Sequence, residues 1–186
     1  MSMTQPLRRI CLVGVRGVGK TTLIRSLLSE LPQVDYVVGS AILRELAGSA
    51  FARFDSLPPE EKQRYREDAI RWMETRQERI GRHILCDGHT TLLNPSTGQV
   101  EQVFTELDCR FFRELILLEA PAELILQRRR DDPSKRRNLD PDLLRSELSG
   151  EREACYRIAR AHGMQLHELP SGDDVSLAHR LKELLT

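Results

Sequence analysis

No run of apolar residues in this sequence approaches the ~20 needed to cross a bilayer. The first residues, MSMTQPLRR, carry their charges with no apolar h-region behind them, so a secretory signal is not expected. No charge of one sign dominates: 28 Lys and Arg balance 28 Asp and Glu. Without a global field, neither nucleic acid nor a membrane surface is expected as a partner, and any attraction for an anion must come from local clusters. Cysteine is sparse. Cys11, Cys86, Cys109 and Cys155 lie far apart and form no C-x-x-C pair, so a zinc site or disulfide framework is not expected and a reducing, cytoplasmic location fits. Cys11 and Cys86 sit in apolar runs and read as small core residues. Internal repeats, low-complexity tracts and linkers are missing, and 186 residues suffice for one domain over 1–186. With 40% hydrophobic and 30% charged residues, the composition is that of an ordinary globular chain.

What is present is an alternation of apolar runs and helical periods. Residues 7–13 (LRRICLV) form a first buried strand that breaks at Gly14. From Gly19 to Leu31, Leu23, Ile24, Leu27, Leu28 and Leu31 recur at helical spacing, and Pro32 stops that helix. Val34 to Val38 is a second strand, and residues 40–54 read as a helix. Pro58, Pro59, Glu60 and Glu61 open a further helix, with Tyr65, Ala69, Trp72, Met73, Arg76 and Ile80 on one face. Trp72 is read as a core residue ahead of a base-stacking platform. His83 to Asp87 is a third strand, and 90–104 reads as a hairpin or ordered loop around Asn94 to Gly98. Leu115 to Leu118 belong to a fourth strand, and a short helix follows Pro121. The charged stretch Arg128 to Asn138 precedes a long helix capped by Asp140 and ending at Gly163. Met164 to Leu169 is a fifth strand, and 173–185 a closing helix. This order predicts an α/β fold, a parallel five-stranded sheet with helices on both faces in a three-layer α/β/α sandwich.

Between the first strand and first helix stands Gly14-Val15-Arg16-Gly17-Val18-Gly19-Lys20-Thr21, which fits G-x-x-x-x-G-K-[ST]. Glycines at 14, 17 and 19 let the backbone wind tightly, so that successive N–H groups, that of Val18 included, converge on one anion. The helix beginning near Gly19 adds its positive dipole end. Lys20 can reach β- and γ-phosphates, and the Thr21 hydroxyl can ligate Mg²⁺, with a second hydroxyl at Thr22. A glycine-rich turn with a solvated lysine would explain neither Gly17 nor the paired threonines. ATP and Mg²⁺ are therefore the expected cofactors. Asp87, at the end of the third apolar strand, is placed to face the Mg²⁺ from the other side, although Asp-Gly is also a turn dipeptide. Gly88 follows it where a motor ATPase of the AAA type usually carries a second acid. N-K-x-D and a convincing D-x-x-G are missing, which argues against a GTPase switch.

Residues 128–137 hold six cations against two anions, a local charge of plus four. Such a segment can serve as an arginine lid that closes planar, bidentate donors over a transferring phosphoryl group. It can also be a solvated loop or a nucleic-acid patch, but no aromatics are interleaved to stack bases.

These residues carry a resemblance that spans nearly the whole chain. GVRGVGKTT, GSAILRELA, LCDGHTTL and LLEAPAELILQRRRDDPSKRRN, in that order, resemble the nucleoside monophosphate kinases, most closely the archaeal-type adenylate kinases. The resemblance implies an acceptor-binding helical insert at about 38–80, a short lid at about 128–140, and the reaction ATP + NMP ⇌ ADP + NDP. Lys20, Arg128, Arg137 and Arg152 would then be catalytic. Arg128 and Arg136 would lie at the donor nucleotide, and Ser40, Arg44 and His89 at the acceptor. Single residues keep other readings: Arg44 as a solvated helix residue, His89 as a turn histidine, Arg152 as the partner of Glu147 or Glu151 on its own helix. The wider adenylate kinases carry an arginine shortly after the Asp-Gly pair, where this chain has His89-Thr90-Thr91, and an acid is common at Asn138. Both departures bear on the acceptor. A kinase acting on a hydroxyl, with Asp87 or His89 as general base, is the second reading. A slow ATPase acting as an assembly factor, as some relatives are thought to be, is the third. A monomer or small homo-oligomer is expected.

Overall fold

The computed structural model describes residues 6–94, 97–134, 137–170 and 174–186. Five parallel strands form the main sheet: β1 (Arg9–Val13), β2 (Val34–Val38), β3 (His83–Asp87), β6 (Glu114–Leu118) and β7 (Gln165–Leu169), in the order β2-β3-β1-β6-β7. A short antiparallel hairpin, β4 (Thr91–Leu93) and β5 (Val100–Gln102), stands apart from it. Side chains alternate across each strand, so the apolar runs feed two cores. Cys11, Val13, Ile84, Cys86, Leu115 and Leu117 face one layer. That layer is built from α2 (Gly39–Ala47), α3 (Pro59–Ile80), α4 (Glu106–Phe111) and most of α6 (Pro141–His162). Ile10, Leu12, Leu85, Ile116 and Leu118 face the opposite layer, formed by α1 (Lys20–Leu27), α5 (Ala122–Asp131) and α7 (Asp174–Leu185). Each such side chain, once buried, contributes about 1.5–3 kcal/mol, which is why the central strands read as unbroken apolar runs. All four cysteines are buried and free. Trp72 is partly buried against the core, with the Arg76 guanidinium 5.2 Å from its ring centre.

The chain leaves β1 for the edge strand β2 and then runs back across the sheet through β3 to β6 and β7, so its direction reverses and β1 ends up between β3 and β6. In open α/β sheets the crevice beyond the carboxyl ends of the strands at such a point is where ligands bind. The register sets Asp87 beside Leu12 on one side and Val38 on the other. Asp87 and the loop after Val13 therefore leave the sheet side by side.

Several elements differ from the sequence expectation. The first helix ends at Leu27 and tightens into a 3-10 turn over Leu28–Glu30. The helix expected over 40–54 is α-helical only to Ala47. Gly48 takes φ +52, its N–H closes on the Arg44 carbonyl, and a 3-10 segment carries the chain to Ser56. Helix α4 was not expected, although Thr105 and Asp108 form a reciprocal capping box at its start. The charged stretch is not wholly a loop, because Arg128, Arg129 and Arg130 lie in the last turn of α5. Among the described residues, no helix is long and apolar enough to cross a membrane.

Candidate active site

Gly14 to Thr22 link β1 to α1. Gly14, Gly17 and Gly19 all take positive φ, +145, +92 and +111. Gly14 is the most constrained: a Cβ there would lie 2.5 Å from the Leu118 carbonyl oxygen, a backbone atom that cannot swing away. Gly14→Ala is expected to destabilise the fold by ~2 kcal/mol or more, read as a lower denaturation midpoint, with an unchanged midpoint as the contrary result. At Gly17 and Gly19 a Cβ would fill space beside Arg129 and Arg128. Helix α1 has no side-chain cap. Its first N–H groups and the glycine cradle thus suit an anion such as a nucleotide phosphate.

Lys20 is only 6% exposed. Its Nζ donates to the Gly14 carbonyl at 2.6 Å and lies 3.7 Å from Asp87 Oδ1. Burial lowers its pKa from the usual lysine value, while the charges of Asp87 and Glu151 oppose that fall. Thr21 Oγ1 donates to Asp87 Oδ2 at 2.7 Å, and the Tyr36 hydroxyl donates to the same oxygen at 3.1 Å. Burial and the Asp87 charge push the Tyr36 phenol up, so it stays a donor. The structure thus brings Lys20, Thr21 and Asp87 together and adds Tyr36, an aromatic in a buried strand that no sequence motif marks. The Thr21 hydroxyl and Asp87 carboxylate are hard oxygen donors of the kind Mg²⁺ takes.

A cavity of about 400 Å³ opens on the glycine loop, lined by Val15 and Arg16 of that loop, Thr91 to Leu93 of the hairpin, and Asp55. Arg129, Arg137, Asn138 and Glu147 complete its wall. Arg128 donates to the Val18 carbonyl at 2.5 Å. Arg137 reaches over Gly17 and lies 3.6 Å from Asp132. Arg129, 4% exposed, pairs with Glu147 and donates to the carbonyls of Arg16 at 3.0 Å and Asn138 at 2.9 Å. One side chain therefore fastens the glycine loop to the lid segment and to α6.

Other expected site residues lie elsewhere. Arg44 is exposed and rests on Phe51, 4.9 Å from the ring centre. Ser40 is exposed in the first turn of α2, and Thr22 is exposed on α1. His89 lies near Lys20 and Arg16. Burial first, then those two charges, push its pKa well below the usual histidine value, and its Nδ1 is buried without a partner among the described residues. Arg152 does not line the cavity. It pairs with Glu119 at 2.6 Å and Glu168 at 3.2 Å, not with Glu147 or Glu151, which are buried and engaged by other groups. Arg136 lies outside the described residues.

A parallel sheet of this order, with a glycine loop on β1 and an acid at the end of β3, defines the P-loop kinase fold. The chain belongs to the family described as AAA domain (AAA_17), whose model it matches over residues 13–146. A shikimate kinase from Acinetobacter baumannii in complex with shikimate is similar at TM-score 0.63 and 20% identity, covering 97% of this chain and 94% of that one. A sugar kinase from Janibacter sp. HTCC2649 is similar at TM-score 0.61 and 19% identity, covering 97% and 95%. A shikimate kinase from Bacteroides thetaiotaomicron is similar at TM-score 0.59 and 17% identity, covering 97% and 99%. No curated protein matches the sequence.

Proposed function

We propose that this chain is an ATP-dependent phosphotransferase that passes the γ-phosphoryl group to a small acceptor seated in the cavity beside the glycine loop. The observation that carries this reading is the meeting of Lys20, Thr21 and Asp87 at a glycine loop whose Val15 and Arg16 line a 400 Å³ cavity, with Arg137 in its wall. Phosphoryl transfer needs alignment, charge neutralisation and exclusion of water more than covalent help. The glycine loop binds the phosphate chain through its N–H groups. Lys20 leaves the Gly14 carbonyl to neutralise the β- and γ-oxygens. Thr21 and Asp87 would hold Mg²⁺, which would supply further charge neutralisation at the phosphates. Arg128, already on the loop, and Arg137 approach the transferring group from the lid side. Arg152 would have to leave two carboxylates to take part, and its catalytic role is the weakest of the set.

The acceptor that the ordered motifs favour is a nucleoside monophosphate, AMP first, bound against the helical insert 38–80. A specific observation favours a second reading, an acceptor hydroxyl. Arg44 and His89, the residues assigned to an acceptor phosphate, do not line the cavity, and the similar solved structures are of shikimate and sugar kinases. ADP formation measured with ATP, Mg²⁺ and each of AMP, CMP, UMP, GMP, dTMP, shikimate and simple sugars separates the two. Rapid ADP formation with one monophosphate supports the first reading, and with a hydroxyl acceptor the second. Slow hydrolysis that ignores every acceptor would sink both and favour an assembly ATPase.

A further inference from the structure

Glu151, in the middle of α6, is 1% exposed. Its Oε1 accepts from the Gly14 N–H at 3.0 Å and the Thr90 N–H at 3.0 Å. Its Oε2 accepts from the Thr91 N–H at 2.7 Å and the Thr91 hydroxyl at 2.6 Å. One carboxylate thereby joins the first residue of the glycine loop to the loop that follows Asp87. Gly14 is held on both sides, because its carbonyl accepts from Lys20 Nζ at 2.6 Å while its N–H donates to Glu151. Four hydrogen bonds to one buried carboxylate are more than packing requires, and they converge where the nucleotide side and the acceptor side of the proposed site meet.

We propose that Glu151 is a positioning residue: it fixes the glycine loop against the loop after Asp87, so that a nucleotide held by the first and an acceptor held beside the second stay aligned for transfer. The proposal rests on the reading that the glycine loop binds the nucleotide. Both oxygens of Glu151 are taken up by Gly14, Thr90 and Thr91, so the residue acts through the two loops it joins.

Steady-state kinetics of acceptor-dependent ADP formation, beside a thermal melt, test this in the parent chain, in Glu151→Gln and in Glu151→Asp. Glutamine turns an amide N–H₂ toward backbone N–H donors, and aspartate keeps the charge but is too short to span Gly14 and Thr91. Each folded variant should lose about 10-fold in kcat with little change in KM for ATP, because only the alignment of the two loops suffers. An unchanged kcat in a folded variant, or a loss confined to KM, overturns the positioning role. A parent chain that forms no ADP with any acceptor overturns the functional reading as well.

Discussion

Lys20→Met is expected to lower acceptor-dependent ADP formation by on the order of a thousandfold or more, the scale of losing one cation at a transferring phosphoryl group. The expectation follows from where the ammonium sits. It is buried, 2.6 Å from the Gly14 carbonyl and 3.7 Å from Asp87, at the mouth of an uncapped helix. Methionine matches the length of the aliphatic stem and leaves the fold intact, since Asp87 keeps its bonds from Thr21 and Tyr36. A coupled ADP assay beside a thermal melt separates the two effects. Turnover within tenfold of the parent in a folded Lys20→Met would remove Lys20 from the chemistry.

The second large effect concerns stability. Arg129→Met should destabilise the chain by about 3–5 kcal/mol, because Glu147 is left buried and charged without its partner. The carbonyls of Arg16 and Asn138 lose a donor at the same time. For a chain of this size that corresponds to a fall in Tm of roughly 10 °C. The double change Arg129→Met with Glu147→Leu should recover much of the loss, since it removes both buried charges together. Denaturant titrations of the two single variants and the double one decide this. Additive losses would show that the pair is not coupled and that the loop does not depend on it.

Arg129 also shows where a one-dimensional reading stops. Arg128, Arg129 and Arg130 are consecutive and chemically identical, and as a segment they read as a lid. On a helix they point about 100° apart. Arg128 reaches the Val18 carbonyl, Arg129 is sealed behind the loop, and Arg130 is exposed. Glu147 and Glu151 present the same problem on α6. Spaced four residues apart within LSGEREACYR and its preceding turn, they look like the polar face of an amphipathic helix. Their burial depends on α6 lying against the glycine loop and hairpin, and no local pattern records that. Tyr36 was passed over because an aromatic in a buried strand reads as core, and only its hydroxyl on Asp87 marks it as part of the site.

Elements whose causes are local can be read directly from the residues. Val34–Val38 and His83–Asp87 begin and end where the apolar runs do. The long helix starts at the Asp140 cap and stops at Gly163, which takes φ +63. The glycine loop was also legible because that motif is contiguous, and Asp87 was expected on the same edge because strand ends in a parallel sheet converge there; the direct hydrogen bond from Thr21 to Asp87 was not. The tertiary structure alone decided which charges are buried and what they hold. Glu151 bonds to residues 60, 61 and 137 positions away, and Arg129 to one 113 positions away. Such contacts arise from how layers stack, and the desolvation that makes them strong exists only once the layers have closed.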